Sequence, residues 1–288
     1  MSISLVTKYA PYTDEVFAAE SKRSLLTNND FDWTGAKSVK IWQISTSAMH
    51  DYGRTGAAVG DISRFGPILD LSAQTQEMML DKDRSFIFNI DRLDEDETAG
   101  QLAAASALAR QIREVVIPEI DAHCYSVMCD NAGTKPAPEI LANTIYGEIM
   151  KAGEVLDNAL VPDTNRFIIM TPKNYAYLKN ARDSTGAPLA SAFLMETDIG
   201  QDMRIRGAIA MVDGATVIRV PEAWLPENFG FMMCHPSATV SPVKLEDFGM
   251  HPNTPLSSGT IVTGRVCYDT FVLDNKKMGI YYQPIDND

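Results

Sequence analysis

The apolar positions of the chain change spacing twice, and the changes divide it into regions. From residue 31 to residue 92 the pattern is strand-like but interrupted. Val39-Lys40-Ile41-Trp42-Gln43-Ile44 is β-branched and aromatic. Ser85 to Asp91 alternates, placing Phe86, Phe88 and Ile90 on one face. Between these segments lies a glycine-rich stretch, Asp51-Tyr52-Gly53-Arg54-Thr55-Gly56 followed by Gly60 and Gly66-Pro67. Residues 70–82 are mostly polar with scattered Met and Leu. Two strands joined through a glycine tip predict a long hairpin. Only a short part of it has an apolar face, so most of it cannot make a core of its own. Its strand-forming composition argues against disorder, so it is expected to pack on something outside its own domain.

The spacing then becomes helical. Glu95-Asp96-Glu97-Thr98 places acids where the positive end of a helix dipole favours them. Leu102, Ala105, Ala109, Ile112, Val116, Ile120 and Val127 step mainly by three and four and predict one buried stripe. Pro118 predicts a bend rather than a stop, and Asn131-Ala132-Gly133 a C-terminus. Such a helix would be about 55 Å long at 1.5 Å per residue, longer than a small domain is wide.

Beyond it the pattern is mixed. Pro138 to Asn158 reads as a helix with Leu141, Ile145, Ile149, Ala152 and Leu156 on one face, and Phe167 to Met170 as a buried strand. Thr171-Pro172 caps a helix through Ala181. Asp213-Gly214 joins Ala208–Val212 to Ala215–Arg219 as a tight hairpin. Phe229 to Cys234 is a further strand. The C-terminal region is strand and turn, clearest at Ile261 to Cys267, Thr270 to Leu273 and Met278 to Tyr282. Residues 1–30 read as an arm. Thr13 caps a short helix through Lys22, and Val16, Phe17, Leu25 and Leu26 are the contacts by which the arm would dock elsewhere.

Composition narrows the function classes. The chain has 288 residues, 45% hydrophobic, enough for one large or two medium domains. Thirty-eight acids against twenty-five bases leave a net charge of −13, with no Lys/Arg run, which argues against a reader of nucleic acid. No apolar run reaches membrane-span length, and the N-terminal residues do not read as a secretory signal. Cys124, Cys129, Cys234 and Cys267 form no C-x-x-C pair and read as reduced thiols.

The search for chemistry yields no constellation. No two glycines lie two residues apart, and no phosphate loop or G-x-S-x-G elbow occurs. Gly53, Gly56 and Gly60 fit a hairpin tip, since no Lys follows and they sit between strands. The acids at 94–97 read as a solvated helix start rather than an acid–base pair. His123-Cys124 and Cys234-His235 could in principle hold zinc, but adjacent helical residues point apart; buried thiols and surface or interface imidazoles are the better reading. No catalytic residue, metal or cofactor is expected.

The order of pieces, an arm, a long two-stranded loop, one long helix, a mixed α/β region and returning strands, resembles the major capsid proteins of tailed bacteriophages, the Hong Kong ninety-seven fold. The stretches that carry the resemblance are Lys8-Tyr9 with Asp14 to Phe17, Phe31 to Ile41, Phe86 to Asp91, Gln111 to Asp121, Ile168 to Leu178, the Asp213-Gly214 hairpin and Asp269 to Tyr281. The resemblance implies an α+β capsid fold. Its parts would be an N-terminal arm (1–30), an extended hairpin or E-loop (31–93), a spine helix of the P-domain (94–135), an A-domain (136–236) and C-terminal P-domain strands (237–288).

It further implies a structural protein that self-assembles as hexamers and pentamers into an icosahedral or prolate head around double-stranded DNA, without sequence-specific binding. Assembly would take place in the host cytoplasm and the protein would end in the virion. The implied partners are further copies of the chain, a portal protein, a separate scaffolding protein (the arm begins almost at Met1) and a decoration protein. Trp42, Tyr52, Arg54, Arg64, Phe65, Lys82, Arg84, Arg110 and Arg113 are the candidate inter-subunit contacts. Some members cross-link an E-loop lysine to a neighbour's asparagine; nothing selects Lys37, Lys40 or Lys82, and no cross-link is expected. An encapsulin-like compartment shell and a cytosolic α/β enzyme are the alternatives.

Overall fold

The computed structural model describes residues 20–28, 38–56, 63–68, 70, 72–93, 104–139, 141–181, 208–252 and 258–286. The chain divides into two units, a hairpin unit (Trp33–Met79) and a body formed by Met1–Asp32 and Leu80–Asp288.

In the hairpin unit, β1 (Ser38–Ile44) pairs antiparallel with β2 (Ala73–Met79), from Ser38 opposite Met79 to Ile44 opposite Ala73. The ribbon is tied beyond the strands. Ser45 N–H donates to Ser72 O and Ser72 N–H to Ser45 Oγ, both at 2.9 Å. Gly53 N–H donates to Arg64 O at 2.9 Å, beside an edge-to-face contact of Tyr52 and Phe65 (centroids 5.0 Å). Gly66 has φ +93°, and a Cβ there would come within 2.8 Å of the His50 side chain, so glycine is required.

The body is centred on a five-stranded mixed sheet in the order β12-β7-β4-β6-β5. The strands are β4 (Phe167–Met170), β5 (Ala208–Val212), β6 (Ala215–Arg219), β7 (Phe229–Cys234) and β12 (Ile280–Pro284). Only β4 and β6 run parallel. All four residues of β4 are buried, as a continuous apolar run requires in a strand covered on both faces. Phe167 and Ile169 pack in one core with Cys124, Tyr125 and Met128 of α3 (Ile117–Asp130) and Leu25 and Leu26 of α1 (Arg23–Leu26). Ile168 and Met170 pack in a second core with Ile145, Ile149, Ala152 and Leu156 of α4 (Leu141–Asn158), and Tyr175 and Leu178 of α5 (Pro172–Lys179). A register shift opposite Gly230 sends Phe229 and Phe231 to different cores, although strict alternation would place them together.

Several local expectations hold. Thr171 caps α5 by accepting from Asn174 N–H at 3.2 Å. Asp213 (φ 48°) and Gly214 (φ 77°) form the tight turn between β5 and β6.

The strand pairing differs from the sequence reading. Residues 85–91, expected as the second strand of the long hairpin, belong to β3 (Lys82–Asp91), which pairs over its whole length with β10 (Gly259–Tyr268). β9 (Val243–Pro252) completes that three-stranded sheet on the far side of β10. Gly264 of β10 lies where a side chain would collide with the ring of Phe86, which stacks on Phe88 and Phe248 (centroids 6.1 Å each). The partner of β1 is instead the polar segment Ala-Gln-Thr-Gln-Glu-Met-Met. β12 also crosses an expected boundary, since pairing with β7 puts it in one sheet with strands of 136–236.

The long helix is likewise modified. α2 (Ala104–Gln111) leads through a π turn (Ile112–Val116) into α3, with Ile117 N–H reaching back five residues to Ile112 O. Pro118, which lacks an N–H and crowds the carbonyl four residues back, follows this wide turn, so the helix continues through it. The turn also resets the buried face. Ala105 and Ala109 are exposed, Ile112, Val116 and Val127 half-buried, and the buried face of α3 is Ile120, Asp121, Cys124, Tyr125, Met128 and Cys129. Leu102, the acids at 94–97 and the Thr13 helix lie outside the described residues. The arm's Leu25 and Leu26 dock in the body of their own chain. Gly133, after the helix, is close-packed: a Cβ would lie 2.5 Å from Lys277 O.

Candidate inter-subunit surfaces

The alternation of β1 and β2 gives the ribbon two faces. One carries Val39, Ile41 and Gln43 with Gln74, Gln76 and Met78, and Gln43 donates to Gln76 at 3.3 Å. Met78 is the one buried apolar side chain of the unit among the described residues. The other carries Lys40, Trp42 and Ile44 with Thr75, Glu77 and Met79. On this face Trp42 is 68% exposed, and Ile44 and Met79 are exposed as well. Lys40 pairs with Glu77 at 3.4 Å, and hydrogen bonds from Ser38 and Lys40 hold the Glu77 carboxyl below its usual range. The face is thus an apolar strip beside one compensated ion pair. Farther along, Met49, Phe65 (77%) and Ile68 are exposed. A soluble monomer does not ordinarily leave so many large apolar side chains in solvent on so small a unit.

The expected contact residues divide between the two units. Trp42, Tyr52, Arg54, Arg64 and Phe65 lie exposed on the hairpin unit. Lys82 and Arg84, expected on the same loop, belong to the body strand β3. Arg84 is not a cation without an intrachain partner: its Nε donates to Glu119 Oε1 at 2.7 Å, and Glu119 also accepts from Tyr268 OH at 3.2 Å. Burial and the Glu119 charge push the Tyr268 phenol up to about 12. Arg110 is half-buried in the last turn of α2, and Arg113, exposed on the π turn, is engaged within the chain. Ile44, Met49, Ile68 and Met79 were not expected as contacts. For Ile44 the signal was available, because it lies two residues from Trp42 on one strand and therefore on one face.

The residues weighed for zinc do not converge. His123 Nε2 bonds Asp269 at 2.9 Å, and His235 Nδ1 bonds Ser237 at 2.8 Å. Burial pushes the Cys124 thiol up to about 11 and raises Cys129 and Cys234 further, as inert core thiols require. Among the described residues no three His, Cys, Asp or Glu side chains gather as a metal site, and no helix is long and apolar enough to cross a membrane.

No family model and no curated protein matches this sequence. Solved structures do match. A structure from Mycobacterium phage Che8 aligns with TM-score 0.72 and 19% identity over 97% of this chain and 96% of that one. The asymmetric unit of the bacteriophage PhiM1 mature capsid aligns with TM-score 0.69 and 11% identity, over 99% and 93%. The capsid structure of the cyanophage P-SCSP1u aligns with TM-score 0.67 and 13% identity, over 98% and 93%. The fold is that of a phage capsid protein. At these identities the likeness is one of capsid fold, and it extends over nearly all of each chain.

Proposed function

We propose that the chain is the major capsid protein of a tailed phage, assembling as hexamers and pentamers into a closed head around double-stranded DNA. The observation that carries this reading is the hairpin unit. In a chain of capsid fold, a two-stranded ribbon has Trp42, Ile44 and Met79 open on one face and a single buried apolar side chain among its described residues. A ribbon of that kind is stable when a neighbour supplies the missing core. It is the E-loop, and β3 is a strand of the P-domain. The helix through the π turn is the spine helix. The net charge of −13 suits a lumen that holds DNA without condensing it. A separate scaffolding protein guides closure, and a portal and decoration proteins complete the head.

The test is negative-stain microscopy of the expressed full chain, with and without a candidate scaffold. Closed shells with five- and sixfold clusters are expected; a compact monomer at every concentration under both conditions overturns the reading. Deleting Asp51–Gly66 should leave a folded subunit that closes no shells, and normal assembly of that variant would remove the hairpin tip from the interface.

A further inference from the structure

Two roots lie in the body, the N-terminal root at residues 20–28 and the hairpin root that follows Met79, and both end on buried polar groups. At the first root, Asp121 of α3 is 1% exposed. Its Oδ1 accepts from Ser21 Oγ at 2.9 Å and lies 3.7 Å from Arg23 Nε. Its Oδ2 has no partner among the described residues. A buried carboxylate is costly unless it is paired and hydrogen-bonded, so Asp121 holds its few partners in place.

The second root is Asp81, two residues after the hairpin unit ends. Its backbone N–H donates to Asp269 Oδ2 at 3.1 Å. The other carboxylate oxygen, Oδ1, bonds His123 of α3 at 2.9 Å and accepts from Thr270 N–H at 2.8 Å. Asp269 therefore ties the start of the hairpin root to the same helix that holds the N-terminal root.

The two anchors are joined. Arg23 Nη1 donates to Ser241 Oγ at 3.0 Å. Ser241 Oγ is 2.9 Å from Thr270 Oγ1 and donates to Asp269 O at 3.3 Å. Ser241 and Thr270 are both buried, so water does not readily substitute for a lost member of the chain. We infer that these groups form one positioning network, through Ser241, that couples the N-terminal root to the hairpin root, so that loosening either loosens the other. The inference concerns the single chain and does not depend on shell assembly.

Hydrogen exchange on the unassembled full chain tests it, read at residues 20–28 and 80–83. Arg23→Gln perturbs the first root and its bond to Ser241, Asp269→Asn only the second root, and Ser241→Ala only the link. Coupling is reciprocal, so Arg23→Gln should speed exchange at 80–83 by roughly fivefold or more, and Asp269→Asn should do so at 20–28 by a similar factor. Ser241→Ala should speed both. Local acceleration alone, with the distant root at the wild-type rate in Arg23→Gln and Ser241→Ala, overturns the coupling whether or not Asp269→Asn folds. Because no assembly is involved, that outcome leaves the capsid reading untouched.

Discussion

Trp42→Ala separates a side chain that stabilises the subunit from one that stabilises contact between subunits. The indole is 68% exposed in the single chain. A buried aromatic covers roughly 150–250 Å², so roughly 100–170 Å² of Trp42 is still available for burial. At about 25 cal/mol per Å² this corresponds to about 2.5–4 kcal/mol for each contact a neighbour makes with it. Each 1.4 kcal/mol is a factor of ten in an association constant. Trp42→Ala should therefore raise the concentration at which shells form by at least about tenfold. In the unassembled chain the same change should alter unfolding stability by less than about 0.5 kcal/mol, the usual range for surface positions. The assay pairs urea unfolding of the subunit with light scattering over a concentration series. A loss of about 2 kcal/mol or more in the subunit, with assembly unchanged, would refute the reasoning, because Trp42 would then be packing within its own chain.

Leu160 ends α4 as the left-handed residue of a helix-terminating turn, with φ 58°, Val161 N–H donating to Leu156 O and Leu160 N–H to Asp157 O. It is 91% exposed, so Leu160→Gly removes backbone strain and little packing. Urea unfolding should show a gain of about 0.5–1 kcal/mol, and a loss would show that Leu160 packs in the subunit. Gly133→Ala should cost about 1–3 kcal/mol in the same assay, since its Cβ would press on the Lys277–Met278 backbone, and a neutral result would show that this backbone yields. Burial raises the Asp121 carboxyl above its usual value, against the opposing pull of Ser21 and Arg23. A raised carboxyl stabilises the fold fully below the unfolded value of about 3.9 and loses that contribution as pH rises through the folded value. The stability of the wild type minus that of Asp121→Asn should therefore fall as pH rises from 4 to 7, and a difference that rises with pH would contradict the assignment.

Much of the central sheet was legible because its signals are local. Phe167 to Met170 is apolar without interruption, Asp213-Gly214 fits a two-residue turn, and Ile145, Ile149, Ala152 and Leu156 keep helical spacing. The hairpin was misread because β2 has no pattern of its own. Ala73–Met79 is a strand through its register with β1, whereas Phe86, Phe88 and Ile90 announce a strand whose partner, β10, lies far along the chain. Tertiary pairing overrode local propensity there. The helix stripe failed at a single place, the π turn at Ile112–Val116, where a wider turn rotates every later residue relative to the earlier ones. Asp121 could not have been identified as an anchor, because its partners Ser21 and Arg23 lie about a hundred positions away.

The most direct test of the central claim is an electron cryomicroscopy reconstruction of the assembled particle, read at one place. The expected result is a closed shell in which the Trp42, Ile44 and Met79 face of each hairpin unit is covered by another copy of the chain. A closed shell that leaves that face in solvent, or a chain that forms no particle with any scaffold, would contradict it.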